Sequence, residues 1–128
     1  MKQTYDCLTA KTATGAGNAI QTQQFQYAVI RITVSGTVNM TVSLKASADT
    51  NVSPTFSSAS SNTNPWFYAG VINQDTTLPI AGSTGIALTV AGTYSYTVNA
   101  DALEYVTLDV TSYTSGTINA TVTLTENV

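Results

Sequence analysis

From Tyr27 to Val34 the chain sets Ala28, Ile30, Ile32 and Val34 on one face and Tyr27, Val29, Arg31 and Thr33 on the other. That period of two marks a β-strand. Beyond Ser35 and Gly36 the alternation resumes, with Val38, Met40, Val42 and Leu44 inward and Asn39, Thr41, Ser43 and Lys45 outward. Burying each such apolar side chain is worth about 1.5 to 3 kcal/mol before entropy is counted, so the register is strongly specified. The stretch Ser35 to Leu44, SGTVNMTVSL, returns as Ser115 to Leu124, SGTINATVTL, at an offset of 80, with seven of ten positions identical. Each copy follows an alternating run that begins near a tyrosine, Tyr27 or Tyr105. The pattern predicts two related β-hairpins, each closed by a Ser-Gly-Thr turn and lying in similar places in the two halves of the fold.

The remaining runs are shorter. Tyr5, Cys7 and Leu8 belong to an irregular strand that ends in the turn cluster TGAGN, Thr14 to Asn18, and Ala19 to Gln26 reads as a short edge strand. Asp49 to Pro65 breaks every period and reads as a long loop, a first candidate for a contact surface. Trp66, Phe67 and Tyr68 follow it, and three consecutive aromatics on a strand must divide between its faces. Val71 to Ile80 holds a strand end, the polar turn NQDTT and Pro79 near an edge. Ile86, Leu88 and Val90 are expected inward and, after Ala91 and Gly92, form a hairpin with Tyr94, Tyr96 and Val98. A last hairpin sets Val106, Leu108 and Val110 against Ile118, Ala120, Val122 and Leu124. These runs predict one all-β domain over residues 1–128, an antiparallel β-sandwich of jelly-roll or immunoglobulin-like type with about eight strands. Residues 1–26 serve in it as edge strands or as a partner-contacting arm.

Composition narrows the function. Charged residues make up only 9% of the chain, against roughly 25% in ordinary soluble domains, so the surface is neutral and hydrogen-bonding. With a net charge of −3 and four Lys and Arg residues in all, no basic patch for nucleic acid can form. The single cysteine, Cys7, excludes an intramolecular disulfide, and Met1 and Lys2 are followed at once by polar residues, unlike a signal peptide. No apolar run approaches the length of a membrane span. The expectation is synthesis in a cytoplasm.

Histidine is absent, which removes the commonest general base and metal ligand and with it any Ser-His-Asp or Cys-His arrangement. The carboxylates Asp101 and Glu104 share one short corner but lack the paired spacing of a glycosidase. Neither they nor Asp49 with Asn51 show a calcium-loop signature. Asn39, Asn51 and Asn119 sit in Asn-x-Ser/Thr triplets, and the first and last read as sheet-surface polars of the repeat. No enzyme, no cofactor and no metal are therefore expected. Trp66 and Tyr68 beside a polar loop would suit sugar stacking, a rival binding-module reading, whereas large aromatics more often fill cores.

The run EYVTLDVTSYTSGTINATVTLTENV, preceded by GTYSYTVNA, with TGAGNAIQTQQFQYAVIRITVSGT and VSLKAS upstream, resembles small β-sandwich structural proteins of tailed-phage virions. The resemblance covers most of the chain from about Thr14 onward. It departs from the family layout at the long loop between Asp49 and Trp66. It implies a structural protein without a catalytic site, placed on the capsid surface after synthesis in a bacterial host. The expected role is head decoration or cement, bridging major capsid protein subunits as a homotrimer, with a tail or fibre accessory role as the alternative. Partner contacts are expected at Tyr5, Gln24, Thr55, Phe56, Asn62, Trp66 and Tyr68.

Overall fold

A computed structural model describes residues 2–22, 25–48, 66–101 and 103–126. Ten strands form one antiparallel sheet and no helix occurs among the described residues: β1 (Lys2–Lys11), β2 (Gly15–Ala16), β3 (Ile20–Gln21), β4 (Tyr27–Ser47), β5 (Phe67–Ala69), β6 (Val71–Asn73), β7 (Pro79–Ile80), β8 (Ile86–Leu88), β9 (Gly92–Asn99) and β10 (Tyr105–Thr125). The main order is β1-β10-β4-β9-β6-β7, with β2 and β3 also against β10 and β5 and β8 also against β4.

The frame is the pair β4 and β10, each of 21 residues. They run antiparallel from Tyr27↔Thr125 to Ser47↔Tyr105, so the two copies of the repeat lie in one ladder rather than in two hairpins. Ser-Gly-Thr is a corner, not a turn. At the corner Gly36 (φ 82°) and Gly116 (φ 107°) take positive φ, and the register shifts between Tyr113 and Ser115 and again between Ser115 and Thr117. A bulge at a positive-φ glycine bends a strand while letting it continue. The ladder folds there, so its halves face each other across a common core, the corner by which strands pass between layers of a sandwich. Ala28, Ile30 and Ile32 from one half of β4 and Val42 and Leu44 from the other join Leu108, Ile118, Val122 and Leu124 of β10 in a single buried cluster. Each copy of the repeat begins at the corner and runs into the opposite half.

The expected hairpin between residues 86–90 and 94–98 is also absent. Ile86 pairs with Val42 in one half of the fold, whereas Thr97 pairs with Val29 in the other. The segment between β8 and β9 therefore passes from one layer to the next, and it leaves Val90 65% exposed instead of inward. Ser43 and Lys45, expected outward, are buried. The outer face of this half of β4 is itself covered, since the Tyr68 ring of β5 stacks over the Lys45 ammonium at 5.6 Å and Asp109 lies against it. Pro79 does sit at the edge, on β7, the last strand of the order, where no ladder donor is required of it.

Candidate functional site

Polar chemistry concentrates on the outer face of the β4–β10 ladder. Lys45 and Asp109 lie on neighbouring strands two residues apart in register, since Lys45 pairs with Thr107 and Asp109 with Ser43. This diagonal relation brings Lys45 Nζ to 3.3 Å from Asp109 Oδ2, with the side chains 6% and 14% exposed. A contact so shielded holds geometry rather than exchanging with water. Tyr68 completes it as a cation–π partner while remaining 37% exposed, and its neighbour Phe67 is 43% exposed. Being consecutive on β5, the two rings point to opposite faces of the strand, and only Tyr68 lies over Lys45.

Trp66 does not share the exposure of these rings. It is 1% exposed and lies 6.2 Å from the Tyr105 ring in a tilted arrangement, so its faces are spent on packing. Tyr5 is far from both in the topology: it pairs with Val122 on β1, at the opposite side of the strand order from β7, and its hydroxyl donates to Gln3 Oε1. Of the expected contact residues the structure thus places Trp66 and Tyr68 close in chain but in different environments, and Tyr5 elsewhere. Gln24, Thr55, Phe56 and Asn62, together with the whole of the Asp49 to Pro65 stretch, lie outside the described residues.

Sequence reasoning missed a groove of about 950 Å³ along the β6–β7 edge. Tyr27, Val71, Ile80 and Val98 line it, together with the polar residues Gln26 and Asn99. Four separate segments build it. The turn after β6 is tied to β9: Asn73 Oδ1 accepts from Asp75 N at 2.8 Å, and Gln74 donates from Nε2 to Thr97 Oγ1 at 2.8 Å and from its backbone to Ser95 O at 3.0 Å. Ile72 and Leu78, 47% and 63% exposed, flank the turn. Apolar residues bracketing NQDTT were the available signal.

Cys7 is buried beside the same ladder. Its Sγ accepts from Leu108 N at 3.3 Å and lies 3.6 Å from Thr107 Oγ1. Burial pushes the thiol up from its ordinary value near 9.0, against the smaller opposing effect of the Thr107 and Leu108 hydrogen bonds. The native thiol should therefore stay unmodified by a thiolate-selective reagent at pH 8 and react only on unfolding, as a denaturant titration with thiol counting would read. Because the folded value is raised, its stabilising contribution is complete below the unfolded thiol value and is lost as pH rises toward the folded one. No three residues of the His, Cys, Asp and Glu type gather among the described residues.

Neither a protein-family model nor a curated protein matches the sequence. The fold, however, has a counterpart among solved structures. The fold is similar to that of the SPBc2 prophage-derived protein YomS, with a TM-score of 0.68 and 16% identity over 97% of this chain and 92% of that one. The match to YomS spans almost the whole of both chains, so it concerns the complete folded sheet and not one hairpin of it. At this identity it establishes the architecture alone.

Proposed function

We propose that the chain is a structural component of a tailed-phage virion, a head decoration protein that bridges neighbouring major capsid subunits from outside. The observation that carries this reading is the whole-length similarity of fold to a prophage-derived protein, to which the resemblance of the repeat-bearing C-terminal run adds. Fold alone is an analogy. The surface chemistry supports it: few charges, many hydroxyl and amide groups, and exposed aromatic rings at Phe67 and Tyr68 suit a wet, salt-tolerant contact. Work is done by adhesion rather than turnover. A stable contact of this kind buries about 1,200 to 2,000 Å² in total, and binding the assembled shell better than its separated subunits stabilises the shell by mass action.

Particles assembled with and without the protein test this. Electron microscopy is expected to place its density on the capsid surface, and particles lacking it are expected to release their genome at lower temperature. Density on the tail instead would replace the head assignment by the tail accessory one. Absence from purified particles would overturn the virion reading.

A further inference from the structure

The β6–β7 groove opens where a ladder stops. β6 pairs with β9 at Ile72↔Thr97 and Asn73↔Tyr96, and just beyond these pairs Gln74 N donates to Ser95 O. Carried the other way, the same register would set Val71 against Val98 and Gly70 against Asn99. Neither pair forms among the described residues: Val71 pairs only with Ile80 of β7, and no backbone hydrogen bond joins Gly70 to Asn99. Gly70, Val71, Val98 and Asn99 all line the groove, so it occupies the place that the ladder leaves vacant.

Neighbouring bonds fix which way the main chain of Asn99 points. In an antiparallel strand the N–H and C=O of one residue turn to the same side, and successive residues alternate. Ser95 O turns toward β6, to Gln74, whereas Ala100 N turns the other way, to Gln26 at the head of β4. The N–H and C=O of Asn99 therefore face β6, across the groove. Its side chain is engaged elsewhere, with Oδ1 accepting from Asp101 N at 3.0 Å. A main-chain donor and acceptor thus stand together in a groove otherwise lined by Val71, Ile80 and Val98.

We infer that the groove takes an extended, uncharged peptide segment of another protein, added as a strand beside Asn99. The peptide residue opposite Asn99 gives its C=O to the Asn99 N–H and its N–H to the Asn99 C=O, a reciprocal pair that an acyl chain cannot offer. The next residue, opposite Val98, shares the face of Val98 and is aliphatic. No residue lining the groove is charged, so a Lys or Glu placed there would lose water without gaining a partner. A volume of about 950 Å³ lies at the upper end of the roughly 300 to 1,000 Å³ of ordinary ligand pockets, which suits a short strand. So small a contact falls below the roughly 1,200 Å² of a stable interface, and binding is weak in dilute solution. The inference does not depend on the virion reading.

The probe is the capped peptide acetyl-Thr-Val-Thr-Val-Thr-amide, titrated into isotope-labelled protein and followed by nuclear magnetic resonance. In the free protein the Asn99 amide is expected to exchange with solvent far faster than that of Ala100, and to become protected as peptide is added. Methylating the amide nitrogen of the central Thr should weaken binding about ten-fold, the loss of one hydrogen bond. Replacing both Val residues of the peptide by Glu should abolish binding. So should Ala81→Trp, which fills the groove from an exposed lining position, with the thermal melt of the protein unchanged. Several results would overturn the inference: an Asn99 amide already protected in the free protein, no binding at millimolar peptide, or indifference to the methyl group or to Ala81→Trp. Equal shifts with octyl glucoside, an aliphatic probe without peptide groups, would replace the peptide by an acyl chain. Protection of Asn99 that grows with protein concentration alone would replace it by a second copy.

Discussion

Gly116→Ala is expected to cost about 3 kcal/mol or more of unfolding free energy, and Gly36→Ala only about 1 to 2 kcal/mol. The sequence makes these glycines equivalent, each second in a Ser-Gly-Thr copy. Both hold positive φ, which a side chain opposes by its own contact with the backbone. They differ in what a methyl would meet. At Gly36 nothing lies within 4 Å of an added Cβ, so only the backbone conformation is penalised. At Gly116 the Cβ would fall 3.1 Å from Val38 Cα and 3.2 Å from Val38 Cγ2. Val38 is core and its Cα is backbone, so the ladder itself must shift. A φ of 107° also lies well beyond the left-handed helical well that other residues tolerate. Urea unfolding of the two variants reads the difference, and equal losses would show that the corner yields freely at both strands.

The second large effect concerns Lys45 and Asp109. Asp109→Ala is expected to destabilise the fold by about 3 to 5 kcal/mol, because it strips a shielded ammonium of its carboxylate while leaving the charge in place. Replacing both, as Lys45→Met with Asp109→Leu, should recover most of that loss, since the desolvation of both ions is then relieved. A double-mutant cycle in urea checks this, with the coupling energy as the readout. Simple additivity of the single losses would mean that the two groups act independently despite their 3.3 Å separation. The Tyr68 ring over the ammonium has a smaller part, about 0.5 to 1 kcal/mol at so exposed a ring.

Both effects depend on neighbours that are remote in the chain, and this is where reading the sequence stopped. A positive-φ glycine serves a two-residue turn and a strand corner alike, so Ser-Gly-Thr by itself predicts a turn where the fold has a corner. The 18 partnered positions along β4 and β10 decide otherwise, and they join residues 58 to 98 apart. The hairpin expected from residues 86–98 failed for the same reason, as Gly92 marks a passage between layers rather than a reversal. The candidate site shared this limit. Trp66 could be read as core or as platform from its neighbours in sequence, and only its approach to Tyr105 chooses core. The β6–β7 groove, drawn from four segments, had no continuous signature to find.

Alternation by itself determined that the chain is all β, which side of most strands faces the core, and that Gly36 and Gly116 hold matching places. These follow from the backbone's period of two and from the cost of exposing Ile, Val and Leu, both of which act within a few residues. Tertiary structure alone decided that the repeats pair with each other, that the ladder folds at its glycines, and that the outer face carrying Lys45 is covered. Partner choice is a competition among distant strands of similar pattern. It is settled by the total area and hydrogen bonding of the whole sheet, which no local window of sequence contains.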